Sequence, residues 1–476
     1  MEIKNFRFIV YSAVFVCSLI LFLVINFEKI GNDSATILII ASDIAKGNYP
    51  YENLWDIKPP LIYYLASLSF LSDDLLISVL IYSTFLYIAS AYIFHSIAKK
   101  LLSKSLAIPA TAIFLLSYQL FMNNETLITE QFLLIFLLLT SHQIIFSSNN
   151  FRWFNAGVLI CILGLTKTNF AALATFLPLY ILLFEPKDSW IRYLTSFVLG
   201  GLLSLVLFLI FFYQSGEAFF IFLKTFFLAP FDSSGGSLII NFASFVKDVF
   251  TSSKVLFFFP FFYFILLYEK QASDFKKFIF FGSLVLTVVL LNILRSPNDL
   301  YILSVLFLLV ICLQKFIEEI NNSSSNKKFF LLPPILISLF FFNVDIALEA
   351  KENKVNFKLV NYLKNNLDSQ DEIFIISTRF HYLYLLLDKQ PISSIVHPSN
   401  FYSRESWLKF APNVEINHES ELLRILLKYP KYILIPKRDF SKAFMNKLET
   451  CWNSSATDFY DPKGVSLMKL RDNCNI

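Results

Sequence analysis

Asp33, Lys58, Glu130, Lys167 and Arg295 each lie where an apolar run begins or ends. A charged side chain at a membrane edge is costly unless it has a partner or a task. Asp33 stands in Gly31-Asn32-Asp33-Ser34, just past the first long apolar run. A carboxylate there can take a proton from an incoming hydroxyl or amine. Equally, Asp33 or Ser34 can cap a helix opening at Ala35, the commoner use of such residues. Lys58 shifts that balance. It precedes Pro59-Pro60, and proline favours the first helical position. The stretch Leu61 to Phe70 is then a helix whose N-terminus faces Lys58. An ammonium beside a helix N-terminus suits a phosphate. A lysine that only snorkels to the interface leaves the double proline unexplained.

Glu130 opens the fourth apolar run, where it either complements a helix dipole or belongs to a site. Lys167 lies between two runs at an end expected to be outside, against the usual bias of basic residues, which favours a function. Arg295 has the same position, and its plain alternative is an interface anchor paired with Asp299. Taken together these are a carboxylate base, a second acid and three cations. Such a set suits group transfer from a lipid phosphate: the cations hold the phosphate and offset charge on leaving, while the base activates the acceptor.

The elements that must position these residues follow from composition. The chain is 56% hydrophobic with 56 Phe, too apolar for a soluble globule of this length and typical of a polytopic membrane protein. Eleven apolar spans are expected, at about 8–27, 75–97, 105–121, 127–147, 153–167, 169–184, 191–213, 254–268, 276–294, 300–317 and 328–345. The first is expected to be a retained anchor, since no small-residue cleavage site follows it. With the N-terminus cytoplasmic, fourteen Lys and Arg fall inside and eight outside in the membrane half, as the positive-inside bias requires. The C-terminal domain then lies outside, periplasmic or extracellular. Charged residues number 43 in 1–346 and 33 in 347–476, which divides a transmembrane domain, 1–346, from a soluble outer domain, 347–476. The runs Ala35 to Ala45, Leu61 to Phe70 and Ala218 to Leu228 are too short to cross and suit interfacial helices. The outer domain reads as α/β, with strands at Glu372 to Ser377 and Tyr432 to Ile435 and a helix over Glu419 to Tyr429.

A net charge of +4 is too small to point to nucleic acid. Cys451 and Cys474 fall in the outer domain, either paired or as two free thiols. The five histidines are scattered, and none stands near a cysteine pair in a zinc pattern. The abundance of Phe, Ile, Asn and Lys fits a low-GC bacterial gene, hence a bacterial inner membrane.

The stretch Asp33 to Leu65 resembles the first outer loop of the GT-C glycosyltransferases. It is most similar to the bacterial branch with the protein O-mannosyltransferases and the lipid A aminoarabinose transferase. Asp33, Gly47, Pro50, Tyr51, Lys58, Pro59 and Pro60 match in order, as an acid, a Gly-x-x-Pro-Tyr turn and a Lys-Pro-Pro loop. Glu130, in Thr129-Glu130-Gln131, is similar to the acid of the second outer loop, and Lys167 to the next membrane-edge lysine. Two positions depart: Ser34 stands where many relatives have a second acid, and no histidine precedes Tyr301. The resemblance implies an inverting enzyme that moves a sugar from a polyprenyl-phosphate carrier to a lipid, glycan or protein acceptor on the outer face. Asp33 is then the base, with Glu130 supporting it or placing the acceptor. Lys58, Lys167 and Arg295 hold the carrier phosphate, and Tyr51, Asp56 and Tyr301 line the substrate pocket. Many relatives need no metal, so no cofactor is expected, although a divalent metal stays open. The competing class is a lipid-linked-sugar transporter or flippase. It calls for paired broken helices in two symmetric halves, and none is seen here.

Overall fold

The computed structural model describes residues 3–102, 104–122, 125–147, 151–232, 255–267, 272–295, 300–323, 338–344, 354–397, 405–415, 418–436, 442–454 and 465–471, with 240–241, 243–245, 247, 335, 346 and 474. The chain divides into two compact units. One comprises Met1–Phe27, Val79–Phe212 and Ser234–Asn353; the other comprises Glu28–Ser78, Tyr213–Ser233 and Lys354–Ile476.

The first unit is helical. Helices occupy every expected apolar run from the first to the tenth, among them Ile3–Asn26, Leu75–Leu101, Lys104–Phe121, Thr129–Phe146, Arg152–Thr166 and Trp190–Tyr213. The eleventh run falls largely outside the described residues, with 338–344 helical. Leu75–Leu101, Thr129–Phe146, Lys187–Tyr213 and Ser273–Leu294 are long and apolar enough to cross a membrane. An α-helix satisfies its own backbone, which hydrocarbon demands. Leu199, Leu203, Leu207 and Ile210 on Trp190–Tyr213 are exposed. Water would penalise such a face, whereas lipid tails accept it. The protein is thus a multi-pass membrane protein of mostly helical fold. Aromatic pairs fill its interior, with Phe22 on Tyr87 and Phe94 on Phe114 stacked at 4.4 Å.

Small residues bring two of these helices into backbone contact. A Cβ added at Gly157 would lie 2.0 Å from the Phe197 carbonyl oxygen, and one at Gly200 2.1 Å from that of Phe154. Backbone cannot yield as a side chain does, so Arg152–Thr166 and Trp190–Tyr213 meet only because both positions are glycine.

The second unit joins three stretches far apart in sequence. Its helices Asn32–Ala45, Leu61–Ser67 and Glu217–Asp232 lie on the short apolar runs noted above. Its C-terminal part carries a four-stranded mixed sheet of order β1-β2-β4-β3, with β1 Ile373–Ile375, β2 Tyr432–Pro436, β3 Trp452–Ser454 and β4 Val465–Leu470. β1 pairs with β2 in parallel, and the other pairs are antiparallel. The expected helix forms as His418–Leu426 and buries Leu422, Ile425 and Leu426. Cys451 and Cys474 form a disulfide with Cα atoms 5.0 Å apart, tying the start of β3 to the end of β4.

Trp55 holds the three stretches together. Its N–H donates to the Ser394 carbonyl at 2.5 Å, and Val396 N–H donates to its carbonyl at 3.0 Å. These bonds make a parallel bridge to Ile395. Its buried indole Nε1 donates to Thr225 Oγ1 at 3.1 Å.

Gly200→Ala is expected to lower stability by about 1–3 kcal/mol through overpacking. Thermal unfolding of the detergent-solubilised protein would measure it. An unchanged melting temperature would show that the two helices can separate without loss.

Candidate active site

The helix Asn32–Ala45 begins after Gly31, which takes the N-cap position, and Asp33 falls in its first turn. That places a carboxylate at the positive end of a helix dipole. The chain then turns back. Gly47 takes φ 100° and Tyr51 φ 69°, left-handed values that a tyrosine adopts only under strain. Tyr51 is held there by its neighbours. Its ring contacts Tyr63 and Phe222 at centroid distances of 6.2 and 6.4 Å, and its hydroxyl donates to the Lys58 carbonyl. The turn therefore fixes the backbone of Lys58.

Asp56 fixes the other end of Lys58. Its side chain is 1% exposed, and Oδ2 accepts from Lys58 Nζ at 3.0 Å and from the Tyr63 hydroxyl at 3.3 Å. Oδ1 accepts from Ile57 N–H at 2.8 Å. Burial pushes the Asp56 carboxyl up, but the Lys58 and His397 charges and these hydrogen bonds outweigh it, and the net direction is down. Burial and the nearby Asp56 charge raise the Tyr51 and Tyr63 phenols well above their ordinary value, so both remain donors. Tyr51 and Asp56, expected to line a substrate pocket, both hold Lys58, one by its carbonyl and the other by its ammonium.

The ammonium so placed lies 3.8 Å from Asp33 Oδ1. This is an ion pair without a hydrogen bond, whereas the bond to Asp56 is a full one. Asp33 also meets a residue that the sequence did not single out: His397 Nε2 is 3.0 Å from the same Oδ1. Asp33 is 29% exposed, Lys58 20% and His397 14%, so the cluster is partly open. Pro59-Pro60 leads into Leu61–Ser67 with Pro60 as N-cap, as the double proline requires.

In the first unit, Lys167 closes the helix Arg152–Thr166 as its C-cap, and Glu130 sits in the first turn of Thr129–Phe146. Their side chains form an ion pair, with Glu130 4% exposed and Lys167 17%. The Lys167 ammonium stands 3.7 Å from the centre of the Tyr301 ring, a cation–π contact. Glu130, Lys167 and Tyr301 are thus one cluster. Arg295 ends the helix Ser273–Arg295, and its side chain lies outside the described residues. Among the described residues no three His, Cys, Asp or Glu side chains gather as metal ligands would.

No protein-family model and no curated protein matches the sequence. Solved structures do match. ArnT from Cupriavidus metallidurans in the apo state is similar at a TM-score of 0.62 and 11% identity, over 98% of each chain. ArnT from the same organism bound to undecaprenyl phosphate gives 0.61 and 12%, again over 98% of each. A looser likeness, 0.49 at 10% identity over 97% of this chain and 74% of the other, is to the Archaeoglobus fulgidus oligosaccharyltransferase tethered with an acceptor peptide. Identities this low speak for architecture alone: the chain has the membrane fold of ArnT.

Proposed function

We propose that this protein is a membrane glycosyltransferase that moves a sugar from a polyprenyl-phosphate carrier to a lipid, glycan or protein acceptor on the outer face, with inversion. The observation that carries it is the meeting of Asp33 and Lys58, 3.8 Å apart at a helix N-terminus, in a chain with the fold of ArnT. That ArnT has been solved with undecaprenyl phosphate supports a polyprenyl-phosphate donor.

In this reading Asp33 takes the proton of the acceptor hydroxyl or amine. The acceptor atom bonds to the anomeric carbon as the bond from that carbon to the phosphate oxygen breaks. The carrier phosphate leaves with the electron pair, and Lys58 offsets the charge that grows on it. Asp56 keeps the ammonium in place throughout. The roles of Glu130, Lys167 and Arg295 rest on their place at the membrane edge and on the resemblance, that of Tyr301 on the resemblance, the orientation on the bias of basic residues, and the count of eleven spans on apolar length.

Transfer of label from polyprenyl-phosphate sugars in membranes tests the reading. Asp33→Asn should lower turnover about 10²- to 10⁴-fold at unchanged folded yield. Lys58→Ala should mainly raise the donor KM, by about 10- to 100-fold for a charge-assisted contact. Turnover indifferent to Asp33→Asn would remove the proposed base. Asp56→Asn leaves Lys58 without its buried counter-charge and should reduce stability by on the order of 2 kcal/mol near neutral pH. The folded Asp56 value lies below its ordinary 3.8. Its contribution is therefore full above 3.8 and is lost as pH falls through the folded value. The melting curves of wild type and Asp56→Asn should converge in acid; a gap constant down to pH 3 would contradict this account of Asp56.

A further inference from the structure

His397 reaches Asp33 across 364 positions of sequence, with Nε2 3.0 Å from Oδ1. An ionised carboxylate only accepts, so Nε2 carries the hydrogen. An exposed His–Asp pair contributes little and holds little in place. This pair differs in how its backbone is held. His397 follows Ser394 and Val396, which are hydrogen-bonded to the backbone of Trp55. Trp55 is buried, and its indole is fixed on Thr225. The next residue, Asp56, holds Lys58. One short backbone bridge therefore sets both the imidazole and the ammonium around a single carboxylate oxygen of Asp33.

His381 makes the contrast. It too lies in the C-terminal part, but it is fully buried, with Nε2 on the Ile375 carbonyl at 3.1 Å. Burial and then the nearby His397 push its ring down to about 3. It is a neutral structural ring, whereas His397 is part open and turned to the candidate base.

We propose that His397 is the positioning residue of Asp33: it donates from Nε2 to Oδ1 and fixes the plane of the carboxylate that receives the acceptor proton. This rests on the reading of Asp33 as the base. A base misplaced by a fraction of an ångström loses rate without losing substrate affinity. His397 is thus expected to act on kcat through Asp33 and to leave binding of the carrier alone.

The test uses the full-length protein in liposomes and transfer from labelled polyprenyl-phosphate sugars. Wild type, Asp33→Asn, His397→Leu and His397→Gln are compared, with folded yield measured by gel filtration. His397→Leu should lower kcat about 10- to 100-fold and leave the donor KM within about 2-fold. Glutamine places an amide N–H near the position of Nε2, so His397→Gln should recover most of the rate. A wild-type kcat in His397→Leu overturns the inference, and so does a loss confined to KM. A loss that glutamine fails to recover assigns the imidazole a purely structural role. If His397→Leu does not fold, His397→Gln decides alone: near-wild-type kcat supports the donor role, and a large loss overturns it. An inactive Asp33→Asn beside a fully active His397→Leu removes only the role of His397. An active Asp33→Asn removes the base itself.

Discussion

A lysine ammonium held by a buried carboxylate is the interaction on which the second unit depends. Asp56 is out of water, and an isolated charge there would be strongly unfavourable. Lys58 satisfies it, and Tyr63 and the Ile57 N–H supply the remaining hydrogen bonds. The strained Tyr51 finds its reason here, since its hydroxyl braces the Lys58 carbonyl. Trp55, beside Asp56, recruits both distant stretches, the 394–396 backbone and Thr225. The unit is thus built outward from one ion pair.

A different constraint governs the first unit. A helix in hydrocarbon satisfies its own backbone but gains no hydrophobic stabilisation from meeting another helix. Close packing must serve instead, and the backbone contacts of Gly157 with Phe197 and of Gly200 with Phe154 are one way to achieve it. Two pairs of opposite charge lie largely buried in it. Arg152 is bound to Glu185 beside the rings of Trp153 and Tyr193, and Lys167 to Glu130 beside Tyr301.

Much of this was legible in the sequence, for physical reasons that differ by residue. Apolar runs of about 20 residues leave little freedom, because the bilayer fixes length and composition together. Asp33 and Lys58 were legible as a pair because they share one outer segment, punctuated by Gly47 and two prolines. Asp56 was visible as a neighbour of Lys58, but its burial depends on cover from Trp55 and Tyr63, which no local pattern encodes. His397 was not legible at all: it follows an irregular segment, stands 364 positions from its partner, and nothing in its flanks marks it. The strands β3 and β4 escaped notice because β3 is only three residues long and gains its form by pairing with β4. That pairing also supplies the 5.0 Å approach of Cys451 to Cys474, a distance that sequence cannot give.

The charge balance of the cluster bears on how such a site would work. Two carboxylates share the one ammonium in it, so the hold of Lys58 on a carrier phosphate, already present at rest, grows as the reaction proceeds. In the proposed reaction, charge collects on the phosphate as the bond to the anomeric carbon lengthens, while Asp33 takes a proton and loses its own charge. The ammonium is then released from its 3.8 Å contact with Asp33 and remains tethered to Asp56 at 3.0 Å. The cation acts most strongly when the leaving charge is greatest, without having to move far or reorganise. Interactions that strengthen only toward the transition state raise the rate, whereas those that hold the ground state equally well do not. An acid that loosens its hold on the cation as it accepts a proton, and another that never does, together produce that difference.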